Sequence, residues 1–219
     1  MSGSVEVLRR LAAPRRPPAA DERCEMCGAP VPPAHSHVVN LASRTLLCTC
    51  RPCTLLFDYP QAELRYRAVP DRYLSFPSVR IPPAVWDDLQ IPVGLVFLFR
   101  NSTLDRTVAF YPGPAGATES DLPLDAWEAV LETHPELRIT APDVEALILR
   151  APAGQGGVAG TDGDRIDVHL VPIDSCYQLI GQLRQVWRGF DGGQQARAHL
   201  EDYFATIAAR SRPAPAVAR

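Results

Sequence analysis

The sequence predicts an α+β protein, with a small N-terminal zinc-ribbon-like module followed by an antiparallel sheet packed with helices. Two CxxC pairs, at 24–27 and 50–53, lie in the first quarter of the chain. From residue 91 onwards, short β-rich apolar runs alternate with turn residues, and later segments carry apolar residues at helical spacing. The predicted divisions are an arm and tether over 1–22, a zinc-ribbon-like metal module over 23–58, a connector over 59–84, an α+β domain over 85–210 and a disordered tail over 211–219.

The composition indicates a globular chain and limits its partners. The 219 residues are 46% hydrophobic and 21% charged, which is unlike the composition of disordered chains. A net charge of −3 argues against a nonspecific nucleic-acid binder, because such a protein needs a basic face. The chain contains no lysine, which excludes Schiff-base catalysis and the lysine of a phosphate-binding loop.

The apolar patterning predicts a cytoplasmic protein without a membrane span. The longest apolar run, 91–99, has the length of a strand and not the about 20 residues of a spanning helix. The first residues include an arginine pair but no apolar core, so they do not resemble an export signal. In a reducing compartment, the six cysteines are expected to serve as thiolate ligands more readily than as disulfides.

The two CxxC pairs predict a metal site formed by Cys24, Cys27, Cys50 and Cys53. Four thiolates satisfy the tetrahedral preference of zinc, and each CxxC turn presents two sulfurs from one tight loop. Gly28 allows the first loop to turn without steric cost. An iron–sulfur cluster also takes four cysteines, so the spacing leaves it open as an alternative to zinc.

Three further residues are possible ligands, and their roles stay open at this level. Cys48 lies beside the second pair, in CTCRPC, where three thiols compete for two positions. It is either a spare inward-facing residue, a replacement for Cys50, or a free thiol that hands metal or sulfide to a partner. His35 and His37 are either ligands, donors that orient ligands, or packing histidines.

Each element of the predicted fold follows from a local pattern. Residues 5–13 have helical character, and the segment 35–50 reads as two strands around a polar turn near Ala42-Ser43-Arg44. The second domain is predicted to begin with a polar turn at 86–90, strands at 91–100 and 106–111, and a loop at 112–120. A helix at 124–134, closed by Pro135, then leads to a strand at 144–150, a glycine-rich loop at 151–164 and a strand at 166–171. The last two elements are a helix capped by Asp174 or Ser175 and running to 187, and a helix at 194–209.

No GxSxG elbow, HExxH motif or phosphate-binding loop occurs, so no catalytic or cofactor-binding residue is predicted. Asp71 and Arg72 are expected to form either a buried ion pair that fixes the connector or a contact with a partner. Cys176 lies on the apolar face of its predicted helix and is expected in the core.

Several long segments resemble a mainly actinobacterial family of unknown function that is encoded beside genes for nickel–iron hydrogenases and carries an N-terminal zinc-ribbon-like cysteine cluster. The likeness is carried by CEMCGAP, LLCTCRPCTLLF, YRAVPDRYL, LQIPVGLVFLF, AFYPGPAGATES, PDVEALILR and VPIDSCYQLIGQLRQVWRGFDGG. It implies an accessory role in the assembly, maturation or electron-transfer coupling of a hydrogenase. The family's cysteine cluster maps onto Cys24, Cys27, Cys48, Cys50 and Cys53.

These observations favour a non-enzymatic metal-binding accessory protein whose partner is a hydrogenase subunit or maturation factor. A metal or iron–sulfur transfer protein that uses Cys48 is the first alternative. A zinc-ribbon protein that binds nucleic acid is the second, although the acidic balance disfavours it.

Overall fold

The computed structural model describes residues 22–59, 65–91, 93–120, 125–151, 166–189 and 192–215. The predicted arm helix and the glycine-rich loop lie outside these residues. The described part is an α+β fold with a cysteine cluster near its N-terminus, as the sequence predicted. No helix in the described ranges combines the length and the apolar character needed to cross a lipid bilayer.

The metal module is built on an antiparallel hairpin of β1 (Ser36–Asn40) and β2 (Thr45–Thr49). The Asn40 side chain accepts hydrogen bonds from the backbone N–H groups of Ala42 and Ser43, which closes the turn. The predicted hairpin is therefore confirmed. A five-residue helix, α1 (Arg51–Leu55), follows at once and carries the last cysteine of the cluster.

The predicted connector contributes strands to two sheets. Its first strand, β3 (Tyr66–Ala68), pairs with β1 and completes a three-stranded sheet in the order β2–β1–β3. Its second, β4 (Leu74–Ser75), belongs to the larger sheet of the second domain. The small and large sheets are thus joined through one short piece of backbone.

The larger sheet has seven strands in the described residues. Besides β4 they are β5 (Leu95–Asn101), β6 (Arg106–Gly113), β7 (Gly116–Glu119), β8 (Glu145–Arg150), β9 (Asp167–Pro172) and β10 (Arg212–Pro213). Their order is β10–β4–β9–β8–β5–β6–β7, and all neighbours are antiparallel except β10 and β4. The predicted strand pairs β5–β6 and β8–β9 are confirmed.

Helices cover both faces of this sheet. They are α2 (Pro83–Leu89), α3 (Asp125–Thr133), a 3-10 turn (Pro135–Ile139), α4 (Ile173–Val186) and α5 (Gly193–Arg210). Leu98 and Arg100 line a groove with Trp127 of α3, whereas Asn101 lines one with Ile173 of α4, and Phe99 borders both. Because successive strand residues point to opposite faces, α3 and α4 lie on opposite sides. All six residues of β8 are consequently buried.

Two local predictions in the second domain are wrong. Residues 86–90, predicted as a polar turn, lie mostly in α2, because Trp86 and Leu89 are buried at helical spacing and Gln90 ends the helix in the left-handed region. Residues 112–120, predicted as a loop, form the end of β6 and the strand β7, with Gly113 opposite Gly116 across a tight turn.

Two predictions about chain ends and caps also need correction. The tail was expected to be disordered from residue 211, but Arg212 and Pro213 pair with β4. The helix α4 begins at Ile173, with Pro172 in the cap position and no side-chain cap hydrogen bond. Asp174 is the second residue of this helix and does not cap it. Its carboxylate instead contacts His37 in the N-terminal module.

Candidate metal centre

Four of the predicted ligands come together at one end of the module. The Sγ atoms of Cys24, Cys27, Cys50 and Cys53 all lie within 4.8 Å of one another, and those of Cys27 and Cys50 are 3.7 Å apart. Sulfurs arranged tetrahedrally around a zinc ion at about 2.3 Å stand about 3.8 Å apart. All four cysteines are free, so no disulfide competes with this arrangement. The cluster can therefore hold a metal ion.

Backbone hydrogen bonds fold the first CxxC pair into a knuckle. The N–H of Cys24 donates to the carbonyl of Ala29, and the N–H of Gly28 donates back to the carbonyl of Cys24. Gly28 has φ +76°, a left-handed value that glycine adopts without strain. Next to this loop, Arg23 donates to the carbonyl of Gly28 at 3.0 Å. The spacing of Cys24 and Cys27 is thus fixed by the backbone alone.

The second pair is positioned by the end of β2 and the start of α1. The N–H of Thr54 donates to the carbonyl of Cys50, which places Cys53 on the first helical turn. The buried hydroxyls of Thr49 and Thr54 lie 2.8 Å apart, and that of Thr49 also donates to the carbonyl of Ser36. These contacts tie the second pair to the hairpin.

Glu25 connects the two knuckles directly. Its backbone N–H donates to the carbonyl of Cys48 at 2.8 Å, and its carboxylate accepts from the N–H of Cys48 at 2.6 Å. Since Cys48 is in β2, the first CxxC loop is clamped to the strand that leads into the second. These hydrogen bonds place the two CxxC loops, and with them the four sulfurs, close to one another.

The thiols of the cluster differ sharply in acidity. Burial opposes ionisation of Cys24, but the backbone N–H groups of Cys50, Cys27 and Met26 outweigh it and lower its pKa to about 6. Hydrogen bonds with the Cys50 and Cys27 sulfurs raise the pKa of Cys53 to about 12. Cys24 is therefore the more readily ionised ligand, and binding of a metal ion would displace the proton of Cys53.

Cys48 is not a member of this cluster. It lies opposite His37 in the β1–β2 register, and its Sγ and one ring nitrogen each of His35 and His37 lie within 4.8 Å of one another. Side chains at cross-strand positions share a face, and His35 is two residues before His37 on the same strand side. The possibility that Cys48 replaces Cys50 is therefore not supported by the geometry.

The second group faces a cavity of about 830 Å³ between the module and the second domain. The Nδ1 atom of His37 is 2.8 Å from Oδ2 of Asp174, at the start of α4. Sequence reasoning missed this contact because 137 residues separate the partners. The period-two spacing of His35 and His37, together with the hairpin register, is the signal that could have grouped them with Cys48.

The remaining predicted residues lie away from both groups. Cys176 is buried in the core, as expected, and burial raises its pKa far above the usual range. Asp71 and Arg72 do not pair with each other; Asp71 contacts Arg210, and Arg72 contacts Glu145. The predicted ion pair between Asp71 and Arg72 is therefore wrong, and Arg72 instead pairs with the buried carboxylate of Glu145.

Comparison with known proteins gives one match. A family model described as "Family of unknown function (DUF5947)" matches residues 23–211, which include both CxxC pairs and every described strand of the large sheet except β10. No curated protein and no solved structure matches the chain significantly.

Proposed function

The chain belongs to the DUF5947 family, and we propose that it is a zinc-binding accessory protein that acts through contacts with another protein. The observation that carries this proposal is the convergence of four thiols within 4.8 Å of one another. All four positions of a tetrahedral ion would be filled by protein, which is typical of structural zinc sites. In such sites the free energy of metal binding becomes free energy of folding.

The sulfur spacing favours a single ion over an iron–sulfur cluster. The four thiolates of a cluster are divided between two or more iron atoms, so some of them stand farther apart than thiolates on one ion. Here all four sulfurs lie within 4.8 Å of one another. The 3.7 Å between the Cys27 and Cys50 sulfurs suits one ion with bonds of about 2.3 Å. Zinc is the natural occupant of four thiolates from two knuckles, because it prefers tetrahedral sulfur and has no redox chemistry.

The partner we propose is a subunit or a maturation factor of a nickel–iron hydrogenase in the cytoplasm, on the basis of the family resemblance. A contact role has support on the surface of the module. Leu55, Leu56 and Tyr59, which follow the last cysteine, are exposed large apolar residues, and Leu56 is 70% exposed. Neighbouring apolar and aromatic side chains of this kind are common at protein interfaces.

Two measurements test these statements separately. Protein purified without air and washed with a mild chelator should retain one colourless zinc per chain, and Cys24→Ser or Cys53→Ser should lose it. Iron with acid-labile sulfide in a brown protein would instead contradict the zinc assignment and favour electron transfer or cluster delivery.

The partner is tested by co-purification of tagged full-length chain from cells that produce the hydrogenase. Hydrogenase subunits should accompany the wild type and Leu104→Ser, and should be lost with Leu56→Ser. Leu104 is a matched control because it is also an exposed leucine, at 45%, but lies in the β5–β6 turn. Failure of any hydrogenase subunit to accompany the wild type would reject the proposed partner.

A second candidate function is metal transfer through Cys48. The observation that favours it is the separation of Cys48 from the four-cysteine cluster and its position beside two histidines at a cavity. A metal ion held there would be reachable from solvent, unlike one enclosed by four protein ligands.

A further inference from the structure

We propose that His35, His37 and Cys48 form a second metal site, open at one coordination position, for a borderline-soft divalent cation such as Zn²⁺. One ligand atom from each residue lies within 4.8 Å of the others. The two imidazole rings have centroids 4.7 Å apart and are tilted by 49°, so they converge without stacking. This site deepens the second candidate function, metal transfer through Cys48, and it does not depend on the hydrogenase partner.

The His35 ring is oriented for metal binding. Its Nδ1 atom is 2.9 Å from the carbonyl oxygen of Pro32. A carbonyl can only accept, so Nδ1 carries the proton and Nε2 presents a lone pair. The side chain is only 7% exposed, and Nε2 is buried without a hydrogen-bond partner among the described residues. A buried nitrogen lone pair without a donor is unfavourable, and a cation at this position would satisfy it.

The His37 ring has the same arrangement with a stronger partner. The Asp174 carboxylate accepts from Nδ1–H at 2.8 Å, which leaves Nε2 free as a ligand. Histidines that bind metals usually donate their other ring N–H to a carboxylate or a carbonyl, which fixes the tautomer and raises ligand basicity. His37 donates to a carboxylate and His35 donates to a backbone carbonyl, so both forms of this pattern occur here.

Cys48 supplies the third ligand, and its thiolate makes the site selective for zinc-like ions. It lies directly opposite His37 in the hairpin, so the pairing of β1 and β2 sets their distance. Two imidazoles and one thiolate select zinc-like ions over Mg²⁺ and Ca²⁺, which prefer oxygen ligands. Binding replaces the thiol proton of Cys48 with the metal and releases that proton to solvent.

The surroundings leave a fourth position open and balance the charge. A divalent ion with two neutral imidazoles and one thiolate carries a net charge of +1. Three carboxylates favour it: Asp174 beside His37, Glu22 at 3.6 Å from His35 Nδ1, and Glu25 against the backbone of Cys48. The cavity of about 830 Å³ that these three ligands line leaves room for water or for a donor from another molecule. Sites with three protein ligands and one open position bind exchangeable or reacting species, in contrast to closed structural sites.

Zinc itself is the probe for the decisive experiment, on the full chain. After dialysis against excess zinc and removal of free ion, the wild type should hold two zinc ions per chain, one of which is rapidly extracted by a chromogenic chelator. His35→Ala, His37→Ala and Cys48→Ser should each lose the rapidly extracted ion and keep the slow one. Cys24→Ser should lose the slow ion and, because the hairpin that carries His37 and Cys48 then unfolds, the rapidly extracted ion as well. His199→Ala, an exposed histidine on α5, is the matched control and should keep both.

Cobalt adds a spectroscopic readout. Titration with Co²⁺ should give a second sulfur-to-cobalt charge-transfer contribution that is absent from Cys48→Ser but retained in His199→Ala. Asp174→Asn should keep the site but weaken its affinity about 10–100-fold, since Asp174 acts by positioning His37.

Three results would overturn the proposal. One is a single zinc per chain in the saturated wild type, and another is two ions in all three ligand variants. The third is loss of the slow ion in Cys48→Ser, which would place Cys48 in the four-cysteine site. Each result is distinct from failure of the proposed function, which concerns the slow ion and the partner.

Discussion

Arg72 reaches from the connector to Glu145 at the start of β8 and forms a two-point ion pair with it. Its Nε donates to Oε1 at 2.7 Å and its Nη2 donates to Oε2 at 2.5 Å, and the Glu145 side chain is completely buried. The same guanidinium donates to the carbonyl of Ile139, and the carboxylate also accepts from the N–H of Ala141. This network anchors the connector to the central strand of the large sheet.

Arg72→Met should destabilise the protein by about 3 kcal/mol, because it leaves a buried carboxylate without its cation. This is the lower end of the range for breaking a buried pair, since Arg72 is 32% exposed. Chemical denaturation followed by tryptophan fluorescence would measure the free energy of unfolding. The double variant Arg72→Met with Glu145→Gln should recover part of the loss; equal stability of wild type and single variant would show that the pair contributes nothing.

Stability should fall as the pH drops below about 6.5, in part because of His169. Burial lowers the pKa of His169, although the nearby Asp167 opposes this. With a folded pKa below the unfolded one, the unfolded chain takes up a proton first, so stability is full above the unfolded pKa and is lost as pH falls through the folded pKa.

The contribution of His169 is isolated by comparing the pH dependence of unfolding of His169→Gln with that of the wild type. Glutamine can still reach the hydroxyl of Ser211, which lies 3.2 Å from His169 Nδ1. The variant should have a flatter pH dependence between about pH 5 and pH 7. Parallel curves would show that His169 has the same pKa in both states.

Zinc binding to the four-cysteine site at pH 7 should release at least two protons. The pKa of Cys24 is about 6, so it is already a thiolate, whereas contacts within the cluster raise the pKa values of Cys27 and Cys53. Titration calorimetry in buffers with different ionisation enthalpies gives the number of protons. A Cys48→Ser background removes the proton expected from the second site, and release of one proton or none would contradict the predicted acidities.

Removal of the metal should unfold the module and leave the second domain intact. Only the Glu25–Cys48 hydrogen bonds and the hairpin would then hold the two knuckles together. Hydrogen exchange should show loss of amide protection at Val38 and Val39 in β1 but not at Ile148 in β8. Cys24→Ser should resemble the chelated wild type and should not respond further to chelator. Unchanged protection of β1 after complete metal removal would mean that the ion has no structural role.

Elements that are marked by a pattern within their own residues could be predicted from the sequence. The β1–β2 hairpin has apolar runs on both sides of a polar turn, and α3 buries Trp127, Val130 and Leu131 at helical spacing, as expected. The convergence of Cys24, Cys27, Cys50 and Cys53 was also predictable, because each CxxC pair fixes two sulfurs within one turn. None of these inferences requires knowledge of distant contacts.

What the sequence could not predict depends on pairing between distant segments. The strands β3, β4 and β10 are only two or three residues long and exist because a partner lies beside them. The helix α2 was missed because Pro82 precedes it and Pro83 is its first residue, although proline is tolerated in the first turn. The contact between His37 and Asp174 joins the module to α4, and no local pattern indicates it.

The short backbone between β3 and β4 has a further consequence for the cavity. Residues 69–73, five in all, separate the end of β3 from the start of β4. Even fully extended, this stretch keeps the two sheets within about 20 Å of each other. The contact between His37 and Asp174 can break while a metal ion enters or leaves the cavity. The two side chains then re-form it at an effective concentration on the order of millimolar. Opening and closing of the contact between His37 and Asp174 is therefore an intramolecular equilibrium, whose position does not depend on the concentration of the protein.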